Sequence, residues 1–237
     1  MRVIRFGVEG LINSFRIPFF RTYHKSFLAP PKTTIIGMVC NISLKSQKEF
    51  FEILEKDKIE VSVIINSIQG KSKDLWSYKT IDKKNRGKSV IRRDKLFIPN
   101  YTIYLKIEDK ELYKEILEAL RYPKNIPSLG LDDELIKIDN VAEIDLELSN
   151  SNKIESVFLD KGVRYKAFVK DISQLIELPI SNIAPTKFIA FDKKGKRISK
   201  EITEKFAQVE FTNCEIEFQE EIKSFEDREF NSKLVLY

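Results

Sequence analysis

Four stretches of this chain alternate apolar and polar residues with the period of a half-buried strand, and their order around the helical stretches leaves few folds open. The first is 3–10, with Ile4, Phe6 and Val8 on one side and Arg5, Gly7 and Glu9 on the other. The second is 59–66 (Ile59, Val61, Val63, Ile65), the third 101–107 (Tyr101, Ile103, Leu105, Ile107), and the fourth is marked by Ile144, Leu146 and Leu148. Between the first two, Thr33 or Thr34 can cap a helix through Ile35, Ile36, Met38 and Val39. Ser46 with Glu49 then forms a capping box ahead of Phe50, Phe51 and Leu54. Between the last two, Leu112, Ile116 and Leu120 share one face of a helix over about 109–121. Strand, helix, strand, strand, helix, strand is the split βαβ order of a ferredoxin-like, RRM-like α+β fold.

The middle of that pattern is interrupted. From about 70 to 96 the core period collapses into polar and basic sequence, with a turn signal at Asn85, Arg86 and Gly87 and β-prone flanks at Trp76, Tyr78, Val90 and Ile91. This predicts a protruding basic β-hairpin, a thumb, inserted between the second and third strands. Residues 1–149 are accordingly assigned to the ferredoxin-like domain with its thumb. Residues 150–237 are assigned to a small β-rich C-terminal extension with runs such as Phe188 to Phe191 and Glu215 to Phe218.

Charge is distributed unevenly over these parts, which matters because an electrostatic footprint is local. The formal net charge is +5 over 237 residues, yet residues 1–34 carry six bases against one acid and residues 71–95 carry ten against three. The last 37 residues have ten acids against four bases. Two basic segments set on an acidic body suit a polyanion; a merely solvated surface accounts for isolated lysines but poorly for the excess in 71–95.

Several chemistries lack their residues. No GxxxxGK[ST], GxGxxG, HExxH or GxSxG occurs. Cys40 and Cys214 are far apart with no partner cluster, so neither a disulfide framework nor a metal site is expected, and no cofactor is implied. No run approaches the roughly 18 apolar residues of a membrane span, which points to a cytoplasmic protein with no membrane partner. His24 is the single histidine, in the proline-bounded loop RTYHKS, and is a general acid–base candidate or a phosphate contact.

The candidate binding residues fall in the two basic segments. The first offers Arg16, Arg21, Tyr23, His24, Lys25, Ser26, Lys32, Thr33 and Thr34, where cations and aromatic rings precede a helix N-terminus. The second offers Trp76, Tyr78, Lys83, Lys84, Arg86, Lys88, Arg92 and Arg93. Cations that hold phosphates beside rings that take unstacked bases are the combination used for single-stranded RNA. The opposing reading assigns the phenylalanines of the first loop to the core and packs Trp76 on the root of its own hairpin.

Three motifs in order resemble a known family: G-x-x-x-S-F-R-x-P (Gly10, Ser14, Phe15, Arg16, Pro18), Ser26 with PPKTTIIGM (Pro30 to Met38), and PSLGLDDE (Pro127 to Glu134). Together they are similar to the CRISPR-associated Cascade subunit of the fifth Cas family, within the RAMP superfamily of ferredoxin-like RNA binders. The resemblance covers about the first 140 residues. It implies a subunit that caps the 5′ handle of the crRNA in a type I surveillance complex, with its thumb on the backbone subunit, other surfaces on the large subunit, and target DNA met through the complex. One branch of that family cleaves repeat RNA with a Tyr, Lys and His set. Here Tyr23, His24 and Lys25 are consecutive, so neighbours in an extended segment point apart, which favours a non-catalytic role over a metal-independent endoribonuclease.

Overall fold

The computed structural model describes residues 1–20, 23–79, 87–159, 162–169, 171–177, 180–186 and 206–237. Its first half follows the alternation read above. Strands β1 (Arg2–Gly10), β4 (Ile59–Lys79), β5 (Lys88–Ile107) and β6 (Ile136–Asp145) form one antiparallel sheet in the spatial order β6-β1-β5-β4. Short strands β2 (Ile12–Asn13) and β3 (Tyr23–His24) add to β5. Helices α1 (Lys32–Ile42) and α3 (Lys110–Arg121) supply the two crossovers, with α2 (Gln47–Glu55) following α1. The fold is ferredoxin-like, as the order of elements predicts.

One face of each alternating strand supplies the main core. Ile4, Phe6 and Val8 of β1 and Val61, Val63 and Ile65 of β4 pack with Tyr101, Ile103 and Leu105 of β5 against Ile35, Ile36 and Val39 of α1 and Leu112 and Ile116 of α3. The α2 capping box is present, with the Ser46 side chain accepting from the Glu49 backbone N–H and Glu49 accepting from the Ser46 backbone. Helix α3 is capped by Asp109, whose carboxylate accepts from Glu111 and Leu112 N–H.

Three elements differ from the sequence expectation, each for a local reason. Helix α1 begins two to three residues earlier than a threonine cap would place it: Pro31 is its N-cap residue, with no side-chain cap bond, and Thr33 and Thr34 lie inside the first turn. Proline's fixed φ suits entry into a helix, and its missing N–H would have no partner there. The fourth strand runs from Ile136, not through Leu148, because Asn140 adopts φ 50° and the β1–β6 register shifts between Arg5 and Gly7. That bulge reverses which residues face the helices: Ile136, Ile138 and Val141 pack on the main core, while Ile144 packs on the opposite face with Val3 and Tyr104. The expected thumb hairpin is present, but its strands continue those of the core and do not start anew. β4 and β5 continue as one ladder from Ile59↔Ile107 out to Lys79↔Lys88.

The C-terminal region is β-rich. β7 (Glu147–Ile154), β9 (Tyr165–Phe168), β12 (Glu215–Asp227) and β13 (Ser232–Leu234) form one sheet, and β8 (Phe158–Leu159), β10 (Ile180–Pro185) and β11 (Phe206–Phe211) another. The run Phe188 to Phe191 lies outside the described residues. This region covers the edge of β4, where Val61 and Tyr237 exchange backbone hydrogen bonds of 2.9 and 3.0 Å and Val157 N–H donates to Val63. It also shares the main core, with Phe211 stacked on Phe27 at 4.6 Å. On the other sheet face Arg5 is buried, donating to Asp227 (2.8 Å) and Glu229 (2.9 Å), while Tyr104 donates to Asp227 (3.0 Å).

Candidate nucleic-acid interface

The root of the thumb is a three-stranded ribbon, because β3 pairs in parallel with β5 on the side away from β4. Register then decides which side chains meet. His24 lies beside Arg93 and Arg93 opposite Asp74, whereas Tyr23 lies beside Arg92 and Arg92 opposite Leu75. Alternation puts these two sets on opposite faces. On the first, Arg93 is ion-paired with Asp74 and its guanidinium sits 4.7 Å from the Trp76 ring centroid. On the second, Arg92 lies over Tyr23 at 5.6 Å, and Tyr23 packs against Phe20 at 5.3 Å.

A cleft of about 740 Å³ opens where this ribbon meets the N-terminus of α1. Its lining includes Arg16, His24, Lys25, Thr33, Thr34, Trp76 and Arg93, all residues singled out from the sequence. Trp76 is 45% exposed, so the root of its own hairpin covers only part of the ring. Tyr78 stands next to it with ring centroids 5.8 Å apart. The His24 imidazole is held below its usual range, first by burial and then by the neighbouring Arg16 and Arg93 charges. It is therefore neutral near pH 7, flanked by cations, where an anion would favour its protonation.

Other predicted residues have different surroundings. Ser26 is buried, accepting from Phe15 N–H and donating to the Phe27 carbonyl at 2.8 Å each, so it braces the loop. Lys32 is also buried and reaches Asp57 (2.8 Å) and the Tyr237 carbonyl (3.2 Å), away from the cleft. In place of the expected phosphate contact, Lys32 forms an ion pair with Asp57 and donates a hydrogen bond to the Tyr237 carbonyl, tying α1 to both. Lys88 is exposed at the far end of the described ladder. Arg21, Lys83, Lys84 and Arg86 lie outside the described residues.

The cleft also holds residues that charge and aromatic patterning missed. Ser14, Gly130, Leu131, Asp132 and Asp133 line it. They come from two of the three motifs, and one side chain joins those motifs. Glu134 accepts from Ser14 N–H (2.7 Å), Ser14 Oγ (2.5 Å) and Leu131 N–H (3.0 Å), and is ion-paired with Lys95 of β5. Asn13 donates to the Leu129 carbonyl at 2.8 Å beside it. Gly130 has φ 114°, and a Cβ there would lie 2.0 Å from a Glu134 oxygen and 2.6 Å from the Ser14 carbonyl. Only glycine fits this close approach. The buried carboxylate thus fixes the arginine-bearing loop, the thumb root and the 130–134 turn against one another.

The sequence from residue 3 to 185 matches the family described as CRISPR-associated protein (Cas_Cas5). The chain belongs to that family. No curated protein gave a match. Among solved structures, a CRISPR protein from Archaeoglobus fulgidus aligns over 99% of this chain and 98% of its own, with TM-score 0.56 and 12% identity. At that identity the likeness is one of fold. A chain of a CRISPR RNA-guided surveillance complex covers 93% of this chain and 91% of its own at TM-score 0.48 and 12% identity. Within this CRISPR-associated chain, no cluster of His, Cys, Asp or Glu among the described residues could hold a metal ion. No helix among them is long and apolar enough to cross a membrane.

Proposed function

We propose that this chain is a non-catalytic RNA-binding subunit of a type I CRISPR surveillance complex and that it caps the 5′ handle of the crRNA. One observation carries the reading: Arg16, His24, Lys25 and Arg93 converge with a half-exposed tryptophan on a single cleft at the thumb root. Cations position the backbone and the ring takes a base. The second face of the thumb suits a neighbouring subunit, the backbone protein of the complex, since Leu75 (71% exposed) and Val90 (58%) stand there among Lys79, Lys88 and Arg92. The remaining surfaces would meet the large subunit.

The non-catalytic assignment rests on the strand geometry. A metal-independent ribonuclease needs a base at the 2′-OH, an acid at the leaving oxygen and a cation on the phosphate together. Tyr23 lies against Phe20 and Arg92 on the ribbon face opposite His24, so the tyrosine of such a set is kept away from the cleft that His24 and Lys25 line. The test is a titration of labelled handle RNA by anisotropy at several salt concentrations. Arg16→Ala with Lys25→Ala should weaken binding and reduce the salt slope by about 0.7 for each charge removed. An unchanged slope and affinity would overturn the reading. Incubation with repeat RNA should leave it intact; cleavage that disappears in His24→Ala would establish the endoribonuclease instead.

A further inference from the structure

The cleft has an acidic side that binding a polyanion does not explain. Asp132 and Asp133 line it together with the four cationic or titratable groups above, both are exposed, and neither has an ion-pair or hydrogen-bond partner among the described residues. Their turn is rigidly held: Leu129 N–H donates to the Glu134 carbonyl and Glu134 N–H to the Leu131 carbonyl, each at 3.0 Å, and the Glu134 side chain anchors Leu131. Carboxylates fixed in an RNA cleft repel phosphate and lower affinity unless they accept hydrogen bonds from a base. The four bases differ sharply as donors. Guanine presents two adjacent N–H groups on its Watson–Crick edge, N1–H and the N2 amino group, which match the two oxygens of one carboxylate. Adenine and cytosine present one amino group beside an acceptor nitrogen that the carboxylate repels, and uracil presents one N–H between two carbonyls.

We propose that this cleft selects guanine, stacked at Trp76, with its phosphate among Arg16, His24 and Arg93 and its Watson–Crick edge on Asp132 and Asp133. The proposal rests on the RNA-binding reading above and specifies the nucleotide that the cleft takes. The volume of about 740 Å³ is within the range of sites that enclose a small ligand. Trp76 is the single tryptophan of the chain, so its fluorescence reports this cleft directly.

The experiment titrates the full chain with five-nucleotide RNAs of uridine that differ only at the central base: guanine, adenine, cytosine, uracil or hypoxanthine. Quenching of Trp76 fluorescence gives each affinity. The guanine RNA should bind at least about fivefold more tightly than the adenine RNA, a difference that stacking alone does not produce between two purines. Hypoxanthine lacks the N2 amino group and should fall between them. Asp132→Asn with Asp133→Asn should erase the preference while quenching by the adenine RNA persists. Quenching that is equal for all central bases, or a guanine preference that survives the double substitution, would overturn the selectivity and leave the RNA reading standing. Quenching by none of the RNAs would overturn both.

Discussion

Lys95→Met deletes the cationic partner of Glu134 and leaves a carboxylate whose side chain is 3% exposed next to an apolar stem. Removing one member of a buried ion pair costs about 3–5 kcal/mol, because the other charge remains desolvated. Here Ser14 N–H, Ser14 Oγ–H and Leu131 N–H still donate to that carboxylate, which places the cost near the lower end, about 3 kcal/mol. For a chain of this size that corresponds to a fall in Tm of roughly 6–12 °C. Glu134→Gln should cost a similar amount for the reciprocal reason: it strands the Lys95 ammonium with Ser14 Oγ at 3.3 Å as its remaining partner. The double variant removes both charges and should be more stable than the sum of the singles predicts, with a coupling of roughly 1–3 kcal/mol. Calorimetric melting of the four proteins measures this directly. Strictly additive losses, or single-variant shifts under about 3 °C, would show that the pair does not fix the thumb root and that the wall of the cleft is held some other way.

Gly130→Ala should lower Tm by several degrees, since a φ of 114° is strained for alanine and the new Cβ would collide with the Ser14 carbonyl and Glu134; a melt equal to that of the parent chain would refute the close approach. His24 should make both stability and RNA affinity depend on pH, in opposite senses. Its folded pKa lies below the ordinary 6.5, so the folded state binds fewer protons and stability is lost as pH falls from about 6.5 through the folded value. Phosphate between Arg16 and Arg93 favours the imidazolium, so affinity should rise as pH falls from about 7.5 to about 5.5, and His24→Gln should flatten that rise. A pH profile identical in the variant would remove His24 from the interface.

The parts of the fold that could be read from the sequence are those where a single period runs unbroken against one core face. β1, the inner half of β4, β5 from Tyr101, and α3 all meet that condition, and each forms where its period places it. The fourth strand departs from the Ile144, Leu146, Leu148 alternation because a bulge at Asn140 exchanges the two faces mid-strand, so no single period describes Ile136 to Ile144. The thumb strands escaped the same test for a different reason. Beyond Gly70 no residue of β4 is fully buried, so this part of the ladder carries no apolar alternation to find. Of the cleft, the basic and aromatic wall was visible as composition. The clamp was not, because it joins residues 14, 95 and 134, whose proximity depends on tertiary structure; the PSLGLDDE motif marked one of its strands of chain without revealing what Glu134 binds.

The structure also changes what the sequence charge means. Of the six bases in residues 1–34, Arg2 is paired with Glu143, Arg5 with Asp227 and Glu229, and Lys32 with Asp57. In the thumb, Lys71 is paired with Glu177, Arg93 with Asp74 and Lys95 with Glu134. These bases have their countercharges inside the fold, those of Arg5 and Lys71 from the acidic C-terminal half and those of the other four from within residues 1–149. Arg16 and Lys25 in the first segment, and Lys73, Lys79, Lys88 and Arg92 in the second, have no carboxylate partner among the described residues. Folding therefore sorts the two basic segments into bases compensated inside the fold and bases that remain uncompensated along the thumb and at its root. Counterion release on binding a polyanion depends on the second group, because a base already neutralised by a carboxylate exchanges one partner for another and releases little. Compensating the other bases, two of them with carboxylates of the C-terminal half, confines the positive potential to the cleft and the arm above it.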